Sequence, residues 1–219
     1  MKRLALVSVV LLFGLAAAAY ARGGWAVVTI KNPPDYLLVG TPNELRFEIR
    51  PHGRTAASGF NSVIHARNGT RRVTGRTWET PKAGVYGASI QIPTAGDWRI
   101  AIATNFGESR AQTLPWRAIA PGDRVPALAG AERGRQLFAA RGCVSCHVHR
   151  AVDVEGQNKT LGPDLSLHRL PAQYLAQFLA DPSIKPKSPG RSEMPNLNLE
   201  AKEIAALVAF LTSGAVAHR

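Results

Sequence analysis

Cys143, Cys146 and His147 stand together in the run Ala140-Arg-Gly-Cys-Val-Ser-Cys-His147, and the two cysteines are the only ones among 219 residues. Three chemistries fit such a trio. Two thiols at C-x-x-C spacing could form a disulfide or a thioredoxin-type redox pair, but the latter needs the strand-to-helix pattern of a βαβ unit, which is missing around it. Zinc could take both thiols with His147 or His149, yet a structural site wants four ligands and no second Cys or Cys/His pair stands at finger spacing. The third chemistry is covalent haem attachment. In C-x-x-C-H each cysteine adds to a haem vinyl group and the histidine becomes the proximal ligand to iron. The pentapeptide is the most specific of the three signals, and haem attachment is the reading carried forward.

A low-spin electron-transfer haem needs a sixth ligand, and methionine opposite histidine raises the potential. Apart from Met1 the chain has one methionine, Met194, in Ser-Glu-Met-Pro-Asn-Leu, forty-seven residues after His147. A lone loop methionine is ordinarily a gap filler. Here its position between two helical segments, with Pro195 directly after it, suits an axial loop. His149 lies two residues from His147, too close to reach the opposite face of one iron, and reads as a surface residue; His168 reads as a packing or hydrogen-bonding residue near the same loop.

The segments that must position these groups change grammar along the chain. From Trp25 to Trp116, short runs alternate apolar and polar residues with period two, as in Leu45 to Arg50, Val85 to Ile92 and Trp98 to Thr104. Pro33-Pro34, Pro51-His52-Gly53, Asn68-Gly69, Pro81 and the run Pro93 to Asp97 punctuate them. About seven strands in roughly 95 residues predict an antiparallel β-sandwich over 22–116. Residues 117–130, with two prolines, two glycines and no clear period, read as a linker. Over 131–219 the period turns helical. One helix runs from Ala131 until Gly142 ends it, a second opens with Pro171 in its first turn and stops at Asp181-Pro182, and a third spans about Leu199 to Ser213, capped by Asn198. Three short helices leave a small core, of the kind a cofactor completes.

The N-terminal segment reads Met-Lys-Arg, an apolar run from Leu4 to Ala19, then Ala19-Tyr20-Ala21. This is the pattern of a signal peptide over 1–21. At ~1.5 Å per residue the run spans only ~24 Å of a ~30 Å hydrocarbon core, so cleavage is expected rather than retention as an anchor. The formal charge of +12 is uneven: Arg22 to Pro126 holds fourteen Lys and Arg against seven Asp and Glu, and the remainder eleven against eight. Export argues against nucleic acid as the partner of this charge, and an acidic protein or anionic membrane surface takes its place.

With these residues in view, 127–213 resembles a class I cytochrome c. "GRQLFAARGCVSCH" carries the glycine and phenylalanine that precede the haem site in that family, "GPDL" (Gly162 to Leu165) is similar to its proline loop, and "YLAQFLADPSIKPKSPGRSEMPNL" to its distal segment. The resemblance implies a single covalent haem c held by Cys143, Cys146 and His147, with Met194 as second axial ligand. It also implies that Pro163 offers its carbonyl to the His147 ring N–H, and that Gly134 and Phe138 meet the last helix near Leu207 and Phe210. The long segment before Gly162 departs from the family pattern. The N-terminal half resembles the small immunoglobulin-like domains of exported or membrane-associated proteins of copper and respiratory metabolism, through "PHG" at Pro51 to Gly53 and "AGVYGASIQIPTAGDWRI" from Ala83 to Ile100.

The expected architecture is therefore an all-β immunoglobulin-like sandwich followed by an all-α class I cytochrome c domain. The expected function is single-electron transfer between redox proteins, without enzymatic turnover, in the periplasm or at the outer face of the cytoplasmic membrane. In many cytochromes c the haem edge is ringed by lysines, and Arg141, Lys159, Lys185, Lys187 and Arg191 could form such a ring for an acidic partner or a membrane respiratory complex. The rivals are a haem enzyme or sensor with a displaceable sixth ligand, and a copper-handling protein using His52 and His65. Copper would want soft Met or Cys ligands, and the sandwich has none.

Overall fold

The computed structural model describes residues 24–124, 127–154, 161–167, 170–184 and 194–213. The expected signal segment, His168, Lys159, Lys185, Lys187 and Arg191 lie outside them.

Ten strands build the first unit: β1 (Ala26–Ile30), β2 (Leu37–Leu38), β3 (Pro42–Pro51), β4 (Ser62–Asn68), β5 (Arg71–Thr74), β6 (Arg76–Glu79), β7 (Val85–Gln91), β8 (Gly96–Thr104), β9 (Arg110–Gln112) and β10 (Trp116–Ile119). One sheet runs β1-β3-β7-β6; the other runs β2-β10-β8-β4-β5, with β9 also on β8. Read as A-B-E-D against G-F-C-C′, this is the strand order of an immunoglobulin sandwich. The alternation that predicts strands also fills the core: Leu45, Phe47 and Ile49 of β3 and Trp98, Ile100 and Ile102 of β8 point inward and are buried. Strand β10 shows that Arg117–Ile119, expected in the linker, belong to the sandwich. Trp116 sits opposite Trp98 in the register, and a buried indole at the sheet's core holds that strand in place.

Among the described residues of the second unit are three α-helices, α1 (Gly130–Ala140), α2 (Ala172–Ala180) and α3 (Ala201–Thr212), with a 3-10 turn at Cys143–Ser145. Asn198 does not cap α3. It takes a left-handed φ of 50°, and Glu200 caps the helix instead, in a box where Glu200 and Glu203 each accept the other's backbone N–H. Helix α1 crosses α3 at Gly134, where a Cβ would stand 2.0 Å from the Ala206 carbonyl oxygen and 2.6 Å from Phe210 Cβ. The two backbones can approach this closely only with glycine at the crossing. Phe138 and Phe210 meet edge to face beside it, centroids 5.8 Å apart.

The units share their cores. All five residues of β1 are buried although alternate side chains of a strand face opposite ways. Ala26, Val28 and Ile30 face the sandwich core, while Val27 and Thr29 lie under the chain reversal that follows α1. Leu114 of the first unit packs in the helical core, and Ala140 of α1 packs in the sandwich core.

Candidate haem site

Helix α1 ends at Ala140, and Gly142 then adopts φ 82°, the left-handed conformation that a side chain disfavours. The reversal sets Cys143–Ser145 in a tight turn, with the amides of Cys146 and His147 both donating to the Cys143 carbonyl at 3.1 and 2.9 Å. Cys143 is buried against Val144, Leu137 and Phe138, and burial pushes its thiol up to about 12; the Cys146 thiol is raised by the same cause.

The segment opposite is tied to this turn by two backbone bonds, Gly162 N–H to the Cys146 carbonyl at 2.7 Å and Leu165 N–H to the Val148 carbonyl at 2.8 Å. They place the Pro163 carbonyl 3.0 Å from His147 Nδ1. A proton held on Nδ1 by that carbonyl makes Nε2 the basic nitrogen, the atom a metal takes, and fixes the ring's rotation. Gly162 closes the other side: a Cβ there would stand 2.5 Å from His147 Cε1. Met194 lies partly buried against the apolar cluster that contains Cys143, Val144, Leu179 and Leu207. Two thiols and an oriented imidazole, the first thiol within this apolar cluster, form a donor set that suits covalently attached haem c.

Two residues stand elsewhere than the sequence suggested. Arg141, expected on a docking ring, is 1% exposed. Its Nη1 donates to the carbonyls of Ile30 and Lys31 at 3.1 and 3.0 Å, and its Nη2 to Leu197 at 2.9 Å and Asn198 at 3.3 Å, with Glu203 Oε2 at 3.5 Å. A guanidinium can be buried here because carbonyls and a carboxylate meet both of its Nη groups, while its Nε is buried without an acceptor. His149, expected at the surface, is 4% exposed and lies 4.3 Å from the Phe210 ring. Its Nδ1 accepts from the Ala151 amide, and burial lowers its pKa, both favouring the neutral ring. No local pattern announces either residue, since the acceptors of Arg141 and the aromatic wall of His149 come from distant parts of the chain.

The sandwich histidines make other contacts. His52 packs edge-on against Trp25 and Phe106, and His65 Nδ1 lies 3.0 Å from Thr74 Oγ1. Among the described residues no three His, Cys, Asp or Glu side chains converge as a metal site.

Residues 131–215 match the family model described as Cytochrome c. No curated protein matches the chain by sequence. Among solved structures, similarity is found to domains 1–6 of surface layer protein SbsC (12% identity, 46% of this chain and 14% of that one, TM-score 0.34). It is also found to SbsC domains 4 and 5 (11%, 45% and 54%, 0.34). A third is the superoxide reductase neelaredoxin from Ignicoccus hospitalis (14%, 42% and 80%, 0.28). Scores this low carry no inference for this chain.

Proposed function

Starting from a cytochrome c module with one covalently attached haem c, the mark of a haem-binding electron-transfer protein, we propose that the chain is an exported monohaem electron carrier. In this reading His147 and Met194 are the axial ligands and electrons pass singly to and from other redox proteins. The bound group supplies a one-electron Fe(III)/Fe(II) couple. The chain's residues do the rest. The Pro163 carbonyl holds a proton on His147 Nδ1 and so raises the basicity of the ligating nitrogen, while Leu137, Phe138, Val144 and Leu207 exclude water. The observation that carries the reading is the packing of Met194 on the same apolar cluster as Cys143.

The test is Met194→Ala in protein matured with its haem. The variant is expected to keep covalent haem by pyridine haemochrome, to lose the weak long-wavelength band of thioether-bound ferric iron, and to bind carbon monoxide when reduced. Its potential should fall by on the order of 0.1 V, within the roughly 0.8 V range that axial ligands command. A wild type that is already high-spin or binds carbon monoxide readily would move the protein to the enzyme or sensor class.

Docking falls to the sandwich in this reading. Arg67 of β4 sits opposite Arg72 of β5 on one side and Arg99 of β8 on the other, all three exposed. Like charges in register across strands repel, so the row is unfavourable in isolation and suited to an acidic redox partner. Arg67→Gln should raise stability by about 0.5 kcal/mol in chemical denaturation. The same change should weaken binding to a polyglutamate surface several-fold at low ionic strength and leave it unchanged at high salt. Weakened stability, or binding indifferent to the substitution at low salt, contradicts the docking role.

A further inference from the structure

The loop that leads from Met194 to α3 is not held by the helical unit alone. Lys31, at the end of β1, reaches out of the sandwich and donates from Nζ to the Leu197 carbonyl at 3.1 Å. The same carbonyl accepts from Arg141 Nη2 at 2.9 Å, so one oxygen three residues beyond Met194 is gripped by two cationic donors. Arg141 adds a bond to the next carbonyl, that of Asn198, and anchors its other nitrogen on the Ile30 and Lys31 carbonyls. Lys31 is fixed in turn by Glu48, 3.4 Å away, whose carboxylate also pairs with Arg50. Burial pulls the Lys31 ammonium below its usual range and Glu48 opposes that pull.

The gripped segment needs restraint. Asn198 holds a positive φ, and the Asn198 amide donates to Asn196 Oδ1 at 2.8 Å, a local turn of short polar residues with no regular ladder. Charge-assisted bonds to two successive carbonyls supply what the loop's own bonding does not. Their foundation is the sandwich: all four strand-side partners, Ile30, Lys31, Glu48 and Arg50, belong to or adjoin β1 and β3.

We propose that the β-sandwich serves as a buttress for the methionine loop, with Lys31 and Arg141 as positioning residues that keep Met194 at its ligating place. This rests on the reading of Met194 as the axial ligand. It gives the sandwich a part in setting the haem's ligation, beside any part in docking. Lys31→Met removes the ammonium and its bond to the loop but keeps the apolar stem, while Glu48 retains Arg50 as its partner. Nothing in that change touches the haem motif.

The experiment uses full-length haem-loaded protein and imidazole as a probe that competes with the methionine for ferric iron. Lys31→Met is expected to bind imidazole on the order of tenfold more tightly than wild type, the effect of losing one charge-assisted restraint on the competing ligand. Its long-wavelength band should also fade at a lower temperature. Lys31→Arg should restore both. Arg133→Gln is the control, because Arg133 joins the units through Pro33, Pro34 and Asp35 and makes no contact with the Met194 loop in the described bonds. It should lower the unfolding temperature and leave imidazole affinity within about twofold of wild type. Imidazole affinity unchanged in Lys31→Met, or raised equally in Arg133→Gln, overturns the buttress while leaving Met194 ligation standing. A wild type without the band overturns the ligation itself and the buttress with it.

Discussion

Arg141→Ala is expected to destabilise the protein by about 3–5 kcal/mol, the range for removing one partner of a buried ionic cluster. The side chain is 1% exposed, and its loss removes a charged donor from the carbonyls of Ile30, Lys31, Leu197 and Asn198 and from the Glu203 carboxylate, of which Leu197 keeps only Lys31. Each buried acceptor left unpaired carries a desolvation penalty, and Glu203 also serves the α3 cap through the Glu200 amide at 2.9 Å. Arg141→Lys should recover only part of the loss, since one ammonium cannot span acceptors on both sides of the interface as the planar fork does. Urea denaturation of the haem-loaded protein reads the effect; a change under ~1 kcal/mol for Arg141→Ala would show that water replaces the guanidinium without penalty.

Gly134→Val should be of similar size. Even the first added carbon would lie 2.0 Å from the Ala206 carbonyl oxygen, far inside contact distance, and the obstacle is backbone that cannot rotate away. Relief requires α1 and α3 to separate, which opens the packing of Phe138 on Phe210 and of both on His149. Overpacking of a fitted core costs about 1–3 kcal/mol and more when backbone must move. Gly134→Ala carries the same first clash with less bulk and should fall between valine and wild type. Thermal unfolding followed at the Soret band and by circular dichroism checks the series, and a Gly134→Val protein as stable as wild type would mean that the helices do not cross as described.

Much of the site was legible because its parts are contiguous or nearly so. Cys143, Cys146 and His147 announce themselves within five residues, and the period-two runs at Leu45 to Arg50 and Trp98 to Thr104 mark strands with one apolar face. Legibility failed where a distant segment changes what a residue faces. Strand β1, Ala-Val-Val-Thr-Ile, has no alternation to read because the helical unit covers the face that would otherwise be polar. Arg141 looks like a surface cation until its carbonyl partners, more than fifty residues away on either side, are in place. Asn198 is a favoured cap type and Glu200 is not; the reciprocal bonds with Glu203 give the position to Glu200, and only the folded helix shows them. Pro163 came from family resemblance, not from any property of the residues around it.

The covered outer face of β1 bears on how such a protein can be taken apart. A module that is to be excised and grafted elsewhere must own a finished surface on every side. This sandwich does not: Val27 and Thr29 would meet solvent, and Leu114 and Ala140 would each be left in the wrong piece. Two folds that differ in architecture are thus joined as a single heritable part, in which changes on the seam of one half are constrained by the other.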